Sequence, residues 1–493
     1  MRVIFFDLDT LRPDHLSCYG YYRKTSPNID AICSDAVKFT NYYCTDAPCL
    51  PSRAALLSGR YGINNGAVGH GGSRASYFNE GANRGFRTRL HQSCLTNIFA
   101  SLKLHTVSFS SFAARHSFYD YTACFNEIYN CGKNGFETAD EVYGKVSRWL
   151  SDNKDKDDWY LHINFWDAHT PYRTPENFRV FNDSPLETFL TDEKIAEQHK
   201  HRSPHGSLEI NMYDDKVNEN YPKQLGKVMN LSDYKKLVDE YDNAINYLDG
   251  YIGKIVNYLK ENGLYEDTNI IVSADHGENM GELNIYSEHA TADEYTCKIP
   301  MIVKWNGCLK NYTDSGLHEH IDLLPTLADL TGTYKRPIWD GESYAETLKT
   351  GKDTGKSVVH LSQMAHVCQR GIRFGDYLYI RTYQDGFHDF PKEMLFDLKN
   401  DKYEENNIAK ANSAIVKKAR KMLKSFLKAN LKNGKKDPMK TVLKEGVYHA
   451  KGYLEHYADY LKNTNRAEEA KKLIRRDGKY KWAHEKKPGQ KSK

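Results

Sequence analysis

Cys49-Leu50-Pro51-Ser52-Arg53, followed by Ala54-Ala55-Leu56-Leu57-Ser58-Gly59-Arg60, is the stretch from which the rest of the chain is read. Pro51 fits the first turn of a helix, where its missing N–H costs nothing. Ala54 to Leu57 extend that helix well, and Arg60 closes it. Cys49 therefore stands at a helix N-terminus, where free N–H groups and the positive end of the dipole favour an anion and a depressed thiol pKa. Arg53, one turn on, can point back to the same spot. A small nucleophile, a helix N-terminus and a forked cation suit a tetrahedral oxyanion. A lone cysteine in such a place is more often a buried thiol, so the other segments must supply acid–base groups and a metal.

Three apolar runs end in such groups. Val3-Ile4-Phe5-Phe6 reads as a buried parallel strand and ends in Asp7-Leu8-Asp9-Thr10. Trp159 to Phe165 is followed by Trp166-Asp167-Ala168-His169-Thr170-Pro171-Tyr172. Asn269 to Ser273 ends in Ala274-Asp275-His276-Gly277-Glu278. In open α/β sheets ligands gather at the carboxyl ends of strands, and carboxylates there suit hard cations. Imidazoles suit proton transfer near neutral pH. A further strand, His105 to Ser110, leads into Ser111-Phe112-Ala113-Ala114-Arg115-His116, and Ser287-Glu288-His289 follows the third run.

In combination these ordered blocks resemble the sulfatase family, a branch of the alkaline phosphatase superfamily. C-x-P-S-R with its G-R ending resembles the signature in which the cysteine is oxidised to formylglycine, whose hydrate is the nucleophile. The resemblance implies an α/β, alkaline-phosphatase-like sandwich with a mixed central sheet and a smaller C-terminal β-rich domain. It implies a divalent metal on Asp9, Asp275 and His276 together with the residue derived from Cys49. Calcium is the usual ion; manganese or magnesium also suit such a set. Asp7 lies outside the motif. Arg53, Arg115 and His116 are implied to meet the sulfate, His169 to handle the ester's protons, and His289 to act as general acid. This chain departs from the family at Thr10, Arg115 and His289, where relatives commonly carry an acid and two lysines. His70, in the glycine-rich loop Gly62 to Gly72, and His366, Arg370 and His388 further on are candidate substrate contacts. His320 to Ala328 resembles a structural D-x-x-P-T helix of the family.

The expected divisions are a catalytic domain over 1–345, a subdomain with a small antiparallel sheet over 346–430, and a basic, mostly helical tail over 431–493. That tail carries 18 Lys+Arg against 8 Asp+Glu in a chain of net charge +4. It could bind a polyanion or simply be a solvated helical surface. Residues 173–230 are polar and read as an insertion over the site. Leu90, Cys94, Ile98 and Leu102 recur at helical spacing, and so do Leu237, Tyr241, Ile245, Leu248, Ile252, Ile255 and Leu259, with Ser232 near the N-cap. Met1 to Asp7 runs directly into a strand with no leader pattern, and the ten scattered cysteines have no zinc-type CxxC spacing. Both give a cytoplasmic expectation.

The expected activity is hydrolysis of a sulfate ester on a carbohydrate, of glycosaminoglycan type. Expected partners are a sulfated small molecule or oligosaccharide and a formylglycine-generating maturation enzyme, with no nucleic acid and no membrane. Two alternatives stand beside it: a phosphodiester or phosphonate monoester hydrolase of the same superfamily, and a non-catalytic anion- or polysaccharide-binding protein.

Overall fold

Continuous apolar runs, rather than alternating ones, build the centre of the molecule. The computed structural model describes residues 1–78, 89–221, 223–432 and 434–485. The last lysine-rich residues, expected to be disordered, lie outside them. The strands of the large sheet are β1 (Arg2–Leu8), β2 (Val37–Tyr43), β4 (His105–Phe109), β5 (Glu127–Tyr129), β6 (Trp159–Phe165), β7 (Thr268–Ala274), β10 (Met301–Lys304) and β11 (Tyr312–Glu319). Their spatial order is β11-β2-β10-β7-β1-β6-β4-β5. β7, β1, β6, β4 and β5 run parallel, and β10 is antiparallel to both β7 and β2. β6 and β7 are buried along their whole length, as is β1 from Val3 on, because helices cover both faces.

The second sheet has the order β15-β14-β13-β12-β3. Its strands are β3 (Asp46–Ala47), β12 (Val359–Gln363), β13 (Cys368–Phe374), β14 (Tyr377–Gln384) and β15 (Glu393–Asp397). Four of them form an antiparallel meander, while β3, just ahead of Cys49, joins parallel to β12. The helix Ser413–Asn430 packs Val416, Ala419 and Leu423 onto this sheet. A two-stranded ribbon pairs β8 (Asn279–Met280) with β9 (Tyr286–Glu288).

The long helix Leu231–Glu261 buries the expected stripe from Leu237 to Leu259. Its cap is Asn230, two residues earlier than expected, because the Asn230 side chain accepts the Asp233 N–H. The expected helix through Leu90 and Leu102 is broken. A short turn, Arg89–Gln92, precedes the helix Leu95–Ser101, and the intervening Ser93 carbonyl accepts the Trp339 indole N–H.

The basic tail is not a solvated surface. Helices Pro438–Glu445, Leu454–Asn463, Ala467–Asp477 and Lys481–His484 fold back on the body. Tyr457, Leu461, Leu473 and Trp482 form one buried cluster with Val68, Tyr213, Met364 and Phe387. Amphipathic spacing gave each of these helices an apolar face, and those faces found partners in the loops around the site. Among the described residues no helix is long and apolar enough to cross a membrane.

Candidate active site

The register of the central strands sets the site. Leu8 pairs with Phe165 on one side and with Ala274 on the other, so β6, β1 and β7 end level. Asp9, Asp275 and His276 follow those ends directly, His169 comes four residues after β6, and all four meet at the carboxyl edge of the sheet. Cys49 begins the helix Cys49–Ser58, every residue of which is buried. Gly59 ends it at φ +64°, a conformation that favours glycine.

Ligand atoms of Asp9, Cys49, Asp275 and His276 all lie within 4.8 Å of one another. Cys49 Sγ is 3.0 Å from His276 Nε2. His276 donates its Nδ1–H to the Gly277 carbonyl at 2.8 Å, which leaves Nε2 bare for a ligand. A Cβ at position 277 would overlap the Tyr295 carbonyl oxygen, so only glycine fits beside this histidine. Thr10 adopts φ +60° and donates from its hydroxyl to Asp9 (2.7 Å) and from its N–H to Asp275 (3.0 Å). The position where relatives carry an acid thus orients two others. Two carboxylates and one bare imidazole nitrogen, all buried, fit a divalent cation that prefers oxygen.

Two expectations about this wall change. Arg53 does not reach into the cavity. Its Nε and Nη2 hold Asp7 at 2.8 and 2.9 Å, and its Nη1 bridges Asp9 (2.8 Å) and Asp275 (2.5 Å). With three carboxylates around it, the guanidinium positions acids instead of meeting a sulfate directly. Asp7, read as outside the motif, is spent on Arg53 and on His162 Nε2 at 3.1 Å. The Cys49 thiol is not depressed: burial first, then the Asp9 and Asp275 charges, push it up despite Arg53 and Arg115.

A cavity of about 830 Å³ opens over Cys49. Arg115, His116, His169 and His289 all line it. Arg115 donates to the Asn134 carbonyl at 2.8 Å and lies over the Trp166 ring. Burial holds His116 and His169 at about 3, so both are neutral. His169 donates Nδ1–H to the Thr170 carbonyl at 2.6 Å, leaving Nε2 as an acceptor. His289 has the opposite polarity. Its Nε2 donates to Glu288 Oε1 at 2.9 Å, and its buried Nδ1 has no partner. Its ring lies 4.2 Å from that of His276.

His70 and His366 also line the cavity, as expected of substrate contacts. Arg370 and His388 do not. Arg370 is paired bidentately with Asp437 at 2.6 and 2.9 Å, because the tail supplies a carboxylate there. His388 is buried behind His205, with its Nδ1–H on the Asp385 carbonyl. The sequence reading missed Glu288, Tyr448 and His449, all cavity-lining, and His205 behind them. His449 stacks on His366 at 4.0 Å, and its Nε2 accepts from His70 Nδ1 at 3.1 Å. Glu288 was legible as the residue before His289; His449 and His205 had no local signal.

A family model described as Sulfatase matches residues 2–333. An N-acetylglucosamine-6-O-sulfatase of Bacteroides thetaiotaomicron is 25% identical over 90% of this chain and 89% of its own. Among solved structures, a protein in complex with its substrate D-glucosamine-2-N,6-O-disulfate aligns with TM-score 0.69 at 17% identity, over 88% of this chain and 99% of its own. A phosphonate monoester hydrolase from Silicibacter pomeroyi aligns with TM-score 0.65 at 18% identity, over 88% and 96%. At these identities the structural likeness establishes the alkaline-phosphatase-like fold alone.

Proposed function

The chain belongs to the sulfatase family and is a sulfuric ester hydrolase; from that premise we propose that it removes sulfate from a sulfated carbohydrate, of glycosaminoglycan-fragment type, with formylglycine made from Cys49 as nucleophile. The observation that carries this reading is the convergence of Cys49, Asp9, Asp275 and His276 within 4.8 Å at level strand ends, beneath a cavity lined by six histidines. The B. thetaiotaomicron relative, named for a 6-O-sulfated amino sugar, supports the substrate class.

Asp9, Asp275 and His276 would hold the divalent metal, calcium by the family's habit, which supplies Lewis-acid charge beside the sulfuryl oxygens. Arg53 fixes both carboxylates in place. Cys49 is 1% exposed in the folded chain, so its conversion to the aldehyde by a maturation enzyme precedes folding. Formylglycine at position 49 would supply the nucleophile: a hydroxyl of its hydrate, its proton lost to solvent under the charge of the metal, would attack sulfur as the S–O bond to the sugar breaks. His289, with Nε2 held by Glu288 and Nδ1 without a partner, is the general acid that gives a proton to the departing alkoxide. His169 Nε2 then takes the proton of the remaining hydroxyl. Loss of that proton would let the carbon–oxygen bond to sulfate break as the aldehyde C=O forms, releasing sulfate. Arg115 and His116 face the developing charge from across the cavity.

Release of inorganic sulfate from a 6-O-sulfated amino sugar, by protein made alongside the maturation enzyme, tests this reading. Sulfate should be released, and the Cys49 peptide should carry the aldehyde by mass spectrometry. Binding of the sulfated sugar without release would make the chain a polysaccharide-binding protein.

A further inference from the structure

Behind the cavity wall, three segments far apart in sequence place donor atoms around one point. His205 comes from the 173–230 insertion, Glu288 ends β9, and His366 lies between β12 and β13. Their ligand atoms all lie within 4.8 Å of one another. Glu288 Oε2 is 3.7 Å from His205 Nε2, and Oε1 is 3.7 Å from His366 Nε2. Both histidines are at least nine-tenths buried, at 2% and 3% exposure, and neither Nε2 has a hydrogen-bond partner.

Tautomer chemistry makes this arrangement unfavourable as it stands. The Ile210 carbonyl can only accept, so His205 donates its Nδ1–H there, at 3.3 Å. Its Nε2 is therefore a bare lone pair facing a carboxylate. Glu288 takes its two donors on Oε1, the His289 backbone N–H at 3.0 Å and His289 Nε2 at 2.9 Å, and among the described residues no lysine or arginine pairs with it. A buried, unpartnered lone pair turned towards a carboxylate costs free energy unless a cation lies between them.

From this geometry we infer that His205, Glu288 and His366 form a second metal site, selective for zinc or a similar borderline transition ion and separate from the Asp9–Asp275–His276 set. Two imidazoles and one carboxylate with an open position is a donor set that zinc takes readily, whereas calcium requires six to eight oxygens. Tetrahedral zinc with arms of about 2.0–2.1 Å sets ligand edges of roughly 3.3 Å, so the 3.7 Å spacings need only a small contraction. Glu288 and His366 line the cavity, so the open position faces substrate and can take a sugar hydroxyl or amine. The ion would also tie the insertion to the small sheet. The inference does not depend on which ester the enzyme cleaves.

Cobalt(II), a spectroscopic stand-in for zinc, provides the test. Metal-stripped full-length protein is titrated with cobalt in excess calcium, which occupies the oxygen-rich set. The wild type should bind one equivalent with the intense visible absorption of a four-coordinate ion. His205→Ala and His366→Ala should weaken that binding by more than the roughly 10–100-fold that loss of a mere supporting group costs. Cys49→Ala should leave it unchanged. Absence of the band in the wild type, its survival in both histidine variants, or its loss in Cys49→Ala would overturn the inference. Should the histidine variants not fold, anomalous diffraction from zinc-soaked wild-type crystals decides: a peak among the three side chains supports the site, and its absence refutes it.

Discussion

The two walls of the cavity are built in different ways. One wall hangs on the level ends of β6, β1 and β7 and on the helix beginning at Cys49; its side chains are held by a web around Arg53. The other is assembled from β9, the loop after β12, the insertion and the C-terminal tail, and consists largely of imidazoles in contact with each other. Strand ends are fixed by backbone register, so chemistry placed there tolerates little movement. A wall of loops can be rebuilt without disturbing the sheet, which suits substrate selection.

The same contrast explains what could be read beforehand. Asp9, His169, Asp275 and His276 each follow an apolar run, so a local pattern announced both the strand and the group at its end. Cys49 was announced by the helix that starts with it. Arg370, by contrast, was expected in the cavity, and nothing near it in sequence revealed that Asp437 would claim it. His449 sits in a basic stretch whose charge left open both a polyanion site and a solvated surface. Only the burial of Tyr457 and Trp482 against distant loops brings it over the site. The thiol expectation failed for a related reason. A helix N-terminus is a local feature, while the Asp9 and Asp275 charges that outweigh it arrive from two other strands.

The comparison can be broken most severely at the first wall. Replacing Cys49 by Ala should reduce kcat by about 10⁴-fold or more, as loss of a nucleophile does, with an unchanged unfolding temperature. A variant retaining a tenth of the activity would mean that another group attacks sulfur. Arg53→Leu should cost about 3–5 kcal/mol of stability, because Asp7, Asp9 and Asp275 would remain buried without their cation. Chemical denaturation reads this directly, and a loss below 1 kcal/mol would show that the web around Arg53 does not hold the wall together.

Acid should act on both walls through their buried histidines. Burial holds His116, His169 and His388 at about 3 and His320 at about 4, against an ordinary value of 6.5. The unfolded chain therefore takes up these protons first. Their contribution is fully present above pH 6.5 and is lost as pH falls from there towards the folded values. Each group should remove about 1.4 kcal/mol per pH unit in that window. Urea midpoints at pH 7.5 and 5.5 check the slope, and equal midpoints would contradict it.

The smallest expected effect belongs to the second wall. His449→Ala removes the ring stacked on His366 and the partner of His70. It should raise KM for a sulfated oligosaccharide by about 10-fold, the scale of one lost contact, and leave kcat on a small aryl sulfate unchanged. A fall in kcat on the aryl sulfate would place His449 in the chemistry and erase the division between the walls.

The central claim, that the strand-end wall is a sulfate-cleaving centre, is tested most directly by one paired measurement: kcat/KM for an aryl sulfate and for the matching aryl phosphodiester, on protein whose Cys49 peptide carries the aldehyde. Faster cleavage of the sulfate is the predicted result. Dominant cleavage of the phosphodiester would contradict it and set the chain apart from the sulfatases in function, beside the phosphonate monoester hydrolases whose fold it shares.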